Sequence, residues 1–103
     1  MRRSKYGAVR TTVDGITFAS KKEAARYSQL RLLVKAKIIH HLELQPRFPL
    51  IVNGEKIGSY VADFLYWQHG TWVTEDVKGV RTSTYRIKAK LLKALYGITI
   101  KET

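Results

Sequence analysis

The sequence predicts an α/β fold, a mixed sheet packed with two helices, in the order hairpin, α, β, β, β, α, β. Two segments carry helix signals. One is the capping-box pattern Ser20-Lys21-Lys22-Glu23 ahead of a run rich in Ala, Arg, Leu and Lys; the other is a run from about Thr84 that stops at Gly97. Around them, β-branched and aromatic runs are punctuated by Asp14-Gly15, Asn53-Gly54 and Gln68-His69-Gly70, which suit tight turns. With 103 residues, 45% of them hydrophobic and 11% aromatic, the chain has material for one core and is read as one domain, 1–103. A chain of this size buries roughly 60–65% of its unfolded surface, which argues against disorder.

Taken in order, residues 1–8 read as a loose basic arm. Val9 to Val13 and Ile16 to Phe18 flank Asp14-Gly15 and are expected to pair as a small hairpin. Ser20 supplies a hydroxyl for an orphan first-turn amide, so a helix is expected from there to about Lys37. Leu42 to Val52 is extended, with Pro46 and Pro49 favouring an edge position or bulges. Beyond the Asn53-Gly54 turn, Ser59 to Trp67 and Thr71 to Lys78 form two further, mostly antiparallel strands. The polar loop Gly79-Val80-Arg81-Thr82-Ser83 leads into the second helix, about Thr84 to Tyr96, and Ile98 to Lys101 closes the sheet. No repeat, low-complexity tract or linker divides the chain.

Charge then narrows the function. Nineteen Lys and Arg stand against 8 Asp and Glu, a formal net charge of +11. Such an excess suits a polyanion, because each cation set against a phosphate releases a condensed counterion. A merely soluble basic surface is the bland alternative. A membrane surface suits the pattern poorly, since no helix pairs a broad apolar face with an all-basic one, and the longest apolar stretches fall far short of the ~20 residues a spanning helix needs. Cysteine is absent, which excludes disulfides and Cys-ligated zinc, and no apolar signal core follows Met1-Arg2-Arg3-Ser4-Lys5. A cytosolic location is expected.

The few carboxylates carry the chemistry. Side-chain alternation puts Thr74, Asp76 and Lys78 on one face of their strand, with Val73, Glu75 and Val77 on the other. Asp63 lies in Tyr60-Val61-Ala62-Asp63-Phe64-Leu65-Tyr66, a run that otherwise reads as buried strand, where a lone carboxylate is costly. A hairpin around Gln68 to Thr71 brings Asp63 and Asp76 onto adjacent strands, within ~5–8 Å. Two acids and a lysine in one patch suit metal-assisted phosphodiester hydrolysis. Hard oxygen ligands bind Mg²⁺ or Mn²⁺, the ion polarises phosphate and activates water, and the lysine steadies developing negative charge.

On these residues the sequence resembles the PD-(D/E)XK nuclease superfamily, with Asp63 as the first acid and Asp76-Val77-Lys78 as the triplet. Ser20-Lys21-Lys22-Glu23, Gln45-Pro46, Ala62-Asp63-Phe64 and Glu75-Asp76-Val77-Lys78-Gly79 together look like a group of small phage-encoded endonuclease-like proteins. More distantly they look like transposition endonucleases and Holliday-junction resolvases. One departure is Ala62, where the pattern has Pro. The resemblance implies a restriction-endonuclease-like αβββαβ core, to which the hairpin read from Asp14-Gly15 is an N-terminal addition, and a Mg²⁺- or Mn²⁺-dependent endodeoxyribonuclease; no nucleotide cofactor is expected. It also implies Asp63, Asp76, the Val77 carbonyl and Glu23 as metal ligands.

Each of these residues has a rival reading. Glu23 completes a capping box, yet the steps to Tyr27, Leu30 and Val34 aim it at the sheet. Glu75 is the rival of Asp76, should a bulge shift the register, and otherwise faces a basic helix residue. Asp63 can be a buried ion-pair member and Lys78 a solvated strand end. His40 and His41, expected at the polar end of the first helix, and His69, in a turn, are assigned no catalytic role. On the second helix Arg86, Lys90 and Lys93 share a face, and Thr84, Lys88, Leu91 and Leu95 form the inward stripe. Lys88 either snorkels to solvent or reaches the scissile phosphate. Arg81, Thr82, Ser83 and Tyr85 are expected to contact backbone phosphates, while Tyr66, Trp67 and Trp72 read as core or dimer surface before base-stacking platforms. So small a core leaves target choice to DNA shape, branches or homodimerisation. The competing classes are a non-catalytic nucleic-acid binder, whose acids only satisfy buried cations, and a protein that keeps the fold without activity.

Overall fold

The computed structural model of the protein describes residues 9–78 and 80–103; the basic arm expected at 1–8 and Gly79 of the expected polar loop lie outside them. Strands β1 (Thr11–Val13) and β2 (Ile16–Phe18) form the expected hairpin. Its turn holds Asp14 and Gly15 at φ 54° and 75°, the left-handed conformation such turns require. Helix α1 (Lys21–Lys35) starts at Ser20, whose Oγ accepts from the Glu23 amide at 3.1 Å. It ends two residues before the expected Lys37. There Lys37 takes φ 60°, and the amides of Lys37 and Ile38 close on the carbonyls of Val34 and Leu33, a Schellman ending.

The extended run expected over Leu42 to Val52 is broken into two strands, β3 (His40–Leu44) and β4 (Arg47–Val52). Gln45 sits at φ 50° and is followed by Pro46, which has no amide for a ladder. The run expected over Ser59 to Trp67 is likewise broken at Ala62-Asp63 into β5 (Glu55–Val61) and β6 (Phe64–Gln68). The two breaks face each other: the Ala62 amide donates to the Pro46 carbonyl at 3.1 Å and the Gln45 amide to the Asp63 carbonyl at 3.0 Å. Strands β4 and β5, turned at Asn53-Gly54, leave the main sheet here as a separate two-stranded ribbon. Pro49 is thus at a ribbon edge, and the register shifts between Leu50 and Ile51.

The main sheet is completed by β7 (Thr71–Asp76), reached through the His69-Gly70 turn, and by β8 (Lys101–Glu102), which follows α2 (Ser83–Tyr96). Its order is β3-β6-β7-β8, antiparallel except for the parallel β7–β8 pair. The chain is therefore the mixed α/β fold expected from its sequence, with the α-β-β-β-α-β order of the sheet interrupted by the ribbon. His40 and His41 stand at the start of β3 rather than at the helix end, both exposed.

Two apolar clusters hold these layers. Tyr27 and Leu30 of α1 pack with Phe18, Ile39, Phe64 and Tyr66 on one face of the sheet, and Tyr27 also donates to Asp14 Oδ2 at 3.0 Å. Leu92 of α2 packs with Leu50, Tyr60 and Ala62 of the ribbon, supported by Tyr85 and Leu91. Of the stripe expected to face inward, Leu91 does so and Lys88 is half-buried, but Thr84 and Leu95 are exposed, and the inward side runs through Tyr85, Leu91 and Leu92. The helix turns toward the ribbon, an element absent from the expected order, and its rotation follows.

A carboxylate cluster at the end of the central strands

The register Phe64↔Glu75 places Asp63 opposite Asp76, and their hydrogen bonds interlock. The Asp63 amide donates to Asp76 Oδ1 at 2.8 Å and to the Glu75 carbonyl at 3.2 Å, while the Val77 amide donates to Asp63 Oδ2 at 2.8 Å. These bonds fix both carboxyls against the backbone, so side-chain entropy no longer opposes their pairing. Asp76 is 1% exposed, and its Oδ2 accepts no hydrogen bond. The nearest cation is the Lys78 ammonium, 3.4 Å from that oxygen, an ion-pair distance. Asp63, Asp76 and Lys78 thus meet as the sequence suggests, though only Asp76 is on a strand: Asp63 lies in the break between β5 and β6, and β7 ends at Asp76, two residues short of the expected Lys78.

Glu23 reaches the same patch from the first turn of α1. It is 9% exposed and turned inward, in line with Tyr27 and Leu30. Burial, then the charge and hydrogen bond of Asp63, then the charge of Asp76, push its carboxyl from the ordinary 4.5 up to about 7, against a small opposing effect of the Ala19 backbone. Glu23 therefore holds its proton to a higher pH than an ordinary glutamate. Burial also raises Asp63 and Asp76, with the Val77 amide opposing this at Asp63 and the Lys78 charge at Asp76. The three acids interact strongly, yet among the described residues no three His, Asp or Glu side chains are already gathered into a group that could hold a metal ion.

Glu75, the rival of Asp76, faces the opposite side, as alternation requires. It is fully buried and accepts from Arg26 Nε at 2.6 Å, Arg26 Nη2 at 2.9 Å and the Tyr66 hydroxyl at 2.6 Å. Burial by itself raises its carboxyl, but the Arg26 and Tyr66 hydrogen bonds and the guanidinium charge outweigh this and hold it below the ordinary value. Burial, then the hydrogen bond and charge of Glu75, push the Tyr66 hydroxyl up to about 12, with Arg26 opposing. Glu75 is thereby committed to a structural ion pair.

Around Lys78 the structure builds a network that sequence reasoning missed. The Nζ lies 3.9 Å over the Tyr85 ring; the Tyr85 hydroxyl donates to Glu102 Oε2 at 2.6 Å, and Arg81 Nε donates to Glu102 Oε1 at 2.8 Å. The Lys78 and Thr103 amides exchange bonds with the Thr103 and Asp76 carbonyls, and Lys22 Nζ donates to the Lys78 carbonyl at 3.2 Å. Glu102 lay just past the expected last strand, and Lys22 inside the capping box. Only the parallel β7–β8 pairing brings Glu102 to Arg81, although Arg26 was legible as the basic residue one helical turn after Glu23.

The remaining expected contacts are distributed as follows. Arg81 and Tyr85 are joined to Glu102, and Thr82 caps α2 by accepting from the Tyr85 amide at 3.1 Å. Arg86, Lys90 and Lys93 are exposed, and Lys88 is half-buried. Lys78, Val80, Arg81 and Arg86 line a basic hollow of about 410 Å³ beside the acids. No helix among the described residues is long and apolar enough to cross a membrane.

Comparison with known proteins adds a family. No curated protein matches the chain. Residues 3–102, nearly the whole chain, match the family described as "protein of unknown function (DUF1064)", and the chain belongs to that family.

Proposed function

We propose that the protein is a divalent-metal-dependent DNA endonuclease. The observation that carries this reading is the buried Asp76, whose Oδ2 accepts no hydrogen bond beside two further acids, Asp63 and Glu23, with one lysine. That oxygen is met by the Lys78 ammonium at 3.4 Å but accepts no hydrogen bond, so it keeps lone pairs free to face a hard cation. All-oxygen donors fit a hard cation, Mg²⁺ or Mn²⁺, held by Asp63, Asp76 and Glu23 with the Val77 carbonyl as the resemblance implies. When bound, such an ion supplies Lewis acidity and a water acidified for attack on phosphorus. The chain's own residues do the rest. The Val77 and Asp63 amides keep the aspartates aligned, Glu23 would release its proton to solvent on becoming a ligand, and Lys78, steadied over Tyr85, would meet the negative charge that develops on the phosphate. In the hollow lined by Lys78, Arg81 and Arg86, Arg81 is paired with Glu102, so Lys78 and Arg86 are the cations that would meet a phosphate backbone beside the acids.

A non-catalytic DNA-binding module is the second reading, favoured by the absence, among the described residues, of three acids already drawn together. Supercoiled plasmid and a four-way junction incubated with the protein in Mg²⁺, Mn²⁺ or EDTA separate the two. Metal-dependent nicking is expected, falling at least about 100-fold in Asp76→Asn and Lys78→Ala. Retention of DNA without nicking in either metal establishes the binder, and nicking that survives EDTA or Asp76→Asn defeats the metal reading.

A further inference from the structure

The face of β7 that carries Asp76 continues past it. Thr74 and Trp72 follow on the same face and line an apolar groove of about 360 Å³, whose other walls are Leu65 of β6, Phe48 of β4, and Ile98 and Thr99 of the segment between α2 and β8. Helix α2 packs on the ribbon rather than on this part of the sheet, so the groove stays open. Trp72 leaves 53% of its surface exposed, yet its ring is held edge-on by Trp67 across the strand pair, centroids 5.2 Å apart at 74°. A large aromatic held rigid and left open is a contact surface rather than a core residue.

Charge and continuity decide the occupant. The chain carries +11, and the groove lies on the strand face that carries Asp76, its lining residue Thr74 standing two positions before that acid. At the rise of a β-strand, Trp72 lies about 13 Å from Asp76, within reach of the next few nucleotides of a strand whose phosphate rests at the acids. We infer that the groove takes an unpaired nucleobase of that strand, stacked on Trp72, so that the substrate is frayed, branched or single-stranded beside the cut. A base in continuous duplex is stacked on its neighbours and cannot enter. The volume is that of a ligand pocket, and a second copy of the chain would set two bodies of +11 against each other.

This inference deepens the nuclease reading and rests on it for the position of the phosphate, but it is tested by binding alone. Fluorescence anisotropy in EDTA compares three labelled DNAs of equal charge: a blunt duplex, a forked duplex, and the same fork with abasic sites in its unpaired arms. The protein is expected to bind the fork about tenfold more tightly than the other two. Trp72→Leu is expected to abolish the preference and Trp72→Phe to keep most of it. Equal binding of the two forks by the unaltered protein overturns the inference without recourse to any variant, as does sedimentation showing a dimer that shields Trp72. A base preference without metal-dependent nicking leaves the groove and removes the nuclease; nicking without a base preference does the reverse.

Discussion

Glu23 and Glu75 are both buried glutamates next to α1, and their environments drive them in opposite directions. Glu75 has a guanidinium and a phenol, so it stays ionised; its share of stability is present above the ordinary glutamate range and lost as pH falls through its depressed folded value. Glu23 has two aspartates for neighbours and holds its proton to about 7. Its folded form binds the proton more tightly than the unfolded chain, so that contribution is complete below the ordinary 4.5 and disappears as pH rises through about 7. Melting temperature in EDTA is therefore expected to decline between pH 5 and 7.5. Glu23→Gln should flatten the decline, and millimolar Mn²⁺ should reverse it at pH 7.5 in the unaltered protein, by mass action on the folded state. An undiminished decline in Glu23→Gln would show that the acids do not share charge. Asp63 and Asp76 could be placed from sequence because strand alternation and a short turn fix which residues meet. The direction of Glu23 could not be decided there, because a helix cap and an inward-facing acid have the same spacing, and only the structure shows its carboxyl buried near Asp63.

At the scale of elements, every turn predicted from Asp-Gly, Asn-Gly or His-Gly is found, since φ near +50° to +80° is available to few other residues. What escaped was the passage of an extended chain from one sheet to another at Gln45-Pro46 and Ala62-Asp63. Hydrophobic runs look alike on both sides of such a corner, and the only local marks are a proline and a buried acid. The corner has a consequence for the site: Asp63 stands where β5 gives way to β6, which frees its side chain for the Val77 amide. The end of α1 has a different character. Lys37 occupies the left-handed position normally given to Gly, at φ 60°, a conformation costing a residue with a Cβ roughly 1 kcal/mol. Lys37→Gly is expected to raise unfolding stability by roughly 0.5–1 kcal/mol, net of the added chain entropy, seen as a higher urea midpoint at unchanged slope. A lower midpoint would mean that the lysine is held there by contacts worth more than the strain.

Across the whole molecule, the two apolar clusters divide the labour. One fixes α1 and hence Glu23 and Arg26 against the sheet; the other fixes α2 against the ribbon and so sets Tyr85 under Lys78. The basic excess is spread over both. Arg26 is consumed by Glu75 and Arg81 by Glu102, whereas Arg86, Lys90 and Lys93 project from the exposed side of α2, whose first turn holds no acid. These three are the cations best placed to meet backbone phosphates without reading bases. If DNA lies along α2, each phosphate contact contributes about −0.9 to the slope of log K against log salt concentration. Replacing Arg86, Lys90 and Lys93 by Gln together is then expected to make the slope shallower by about 2.7, weakening binding alike for every sequence tested, while melting temperature stays the same. Duplex titrations between 50 and 300 mM salt measure this directly. A slope unchanged by the triple replacement would move the DNA path off α2 and onto the lysines of α1, where Lys21 and Lys22 stand exposed beside the acid cluster.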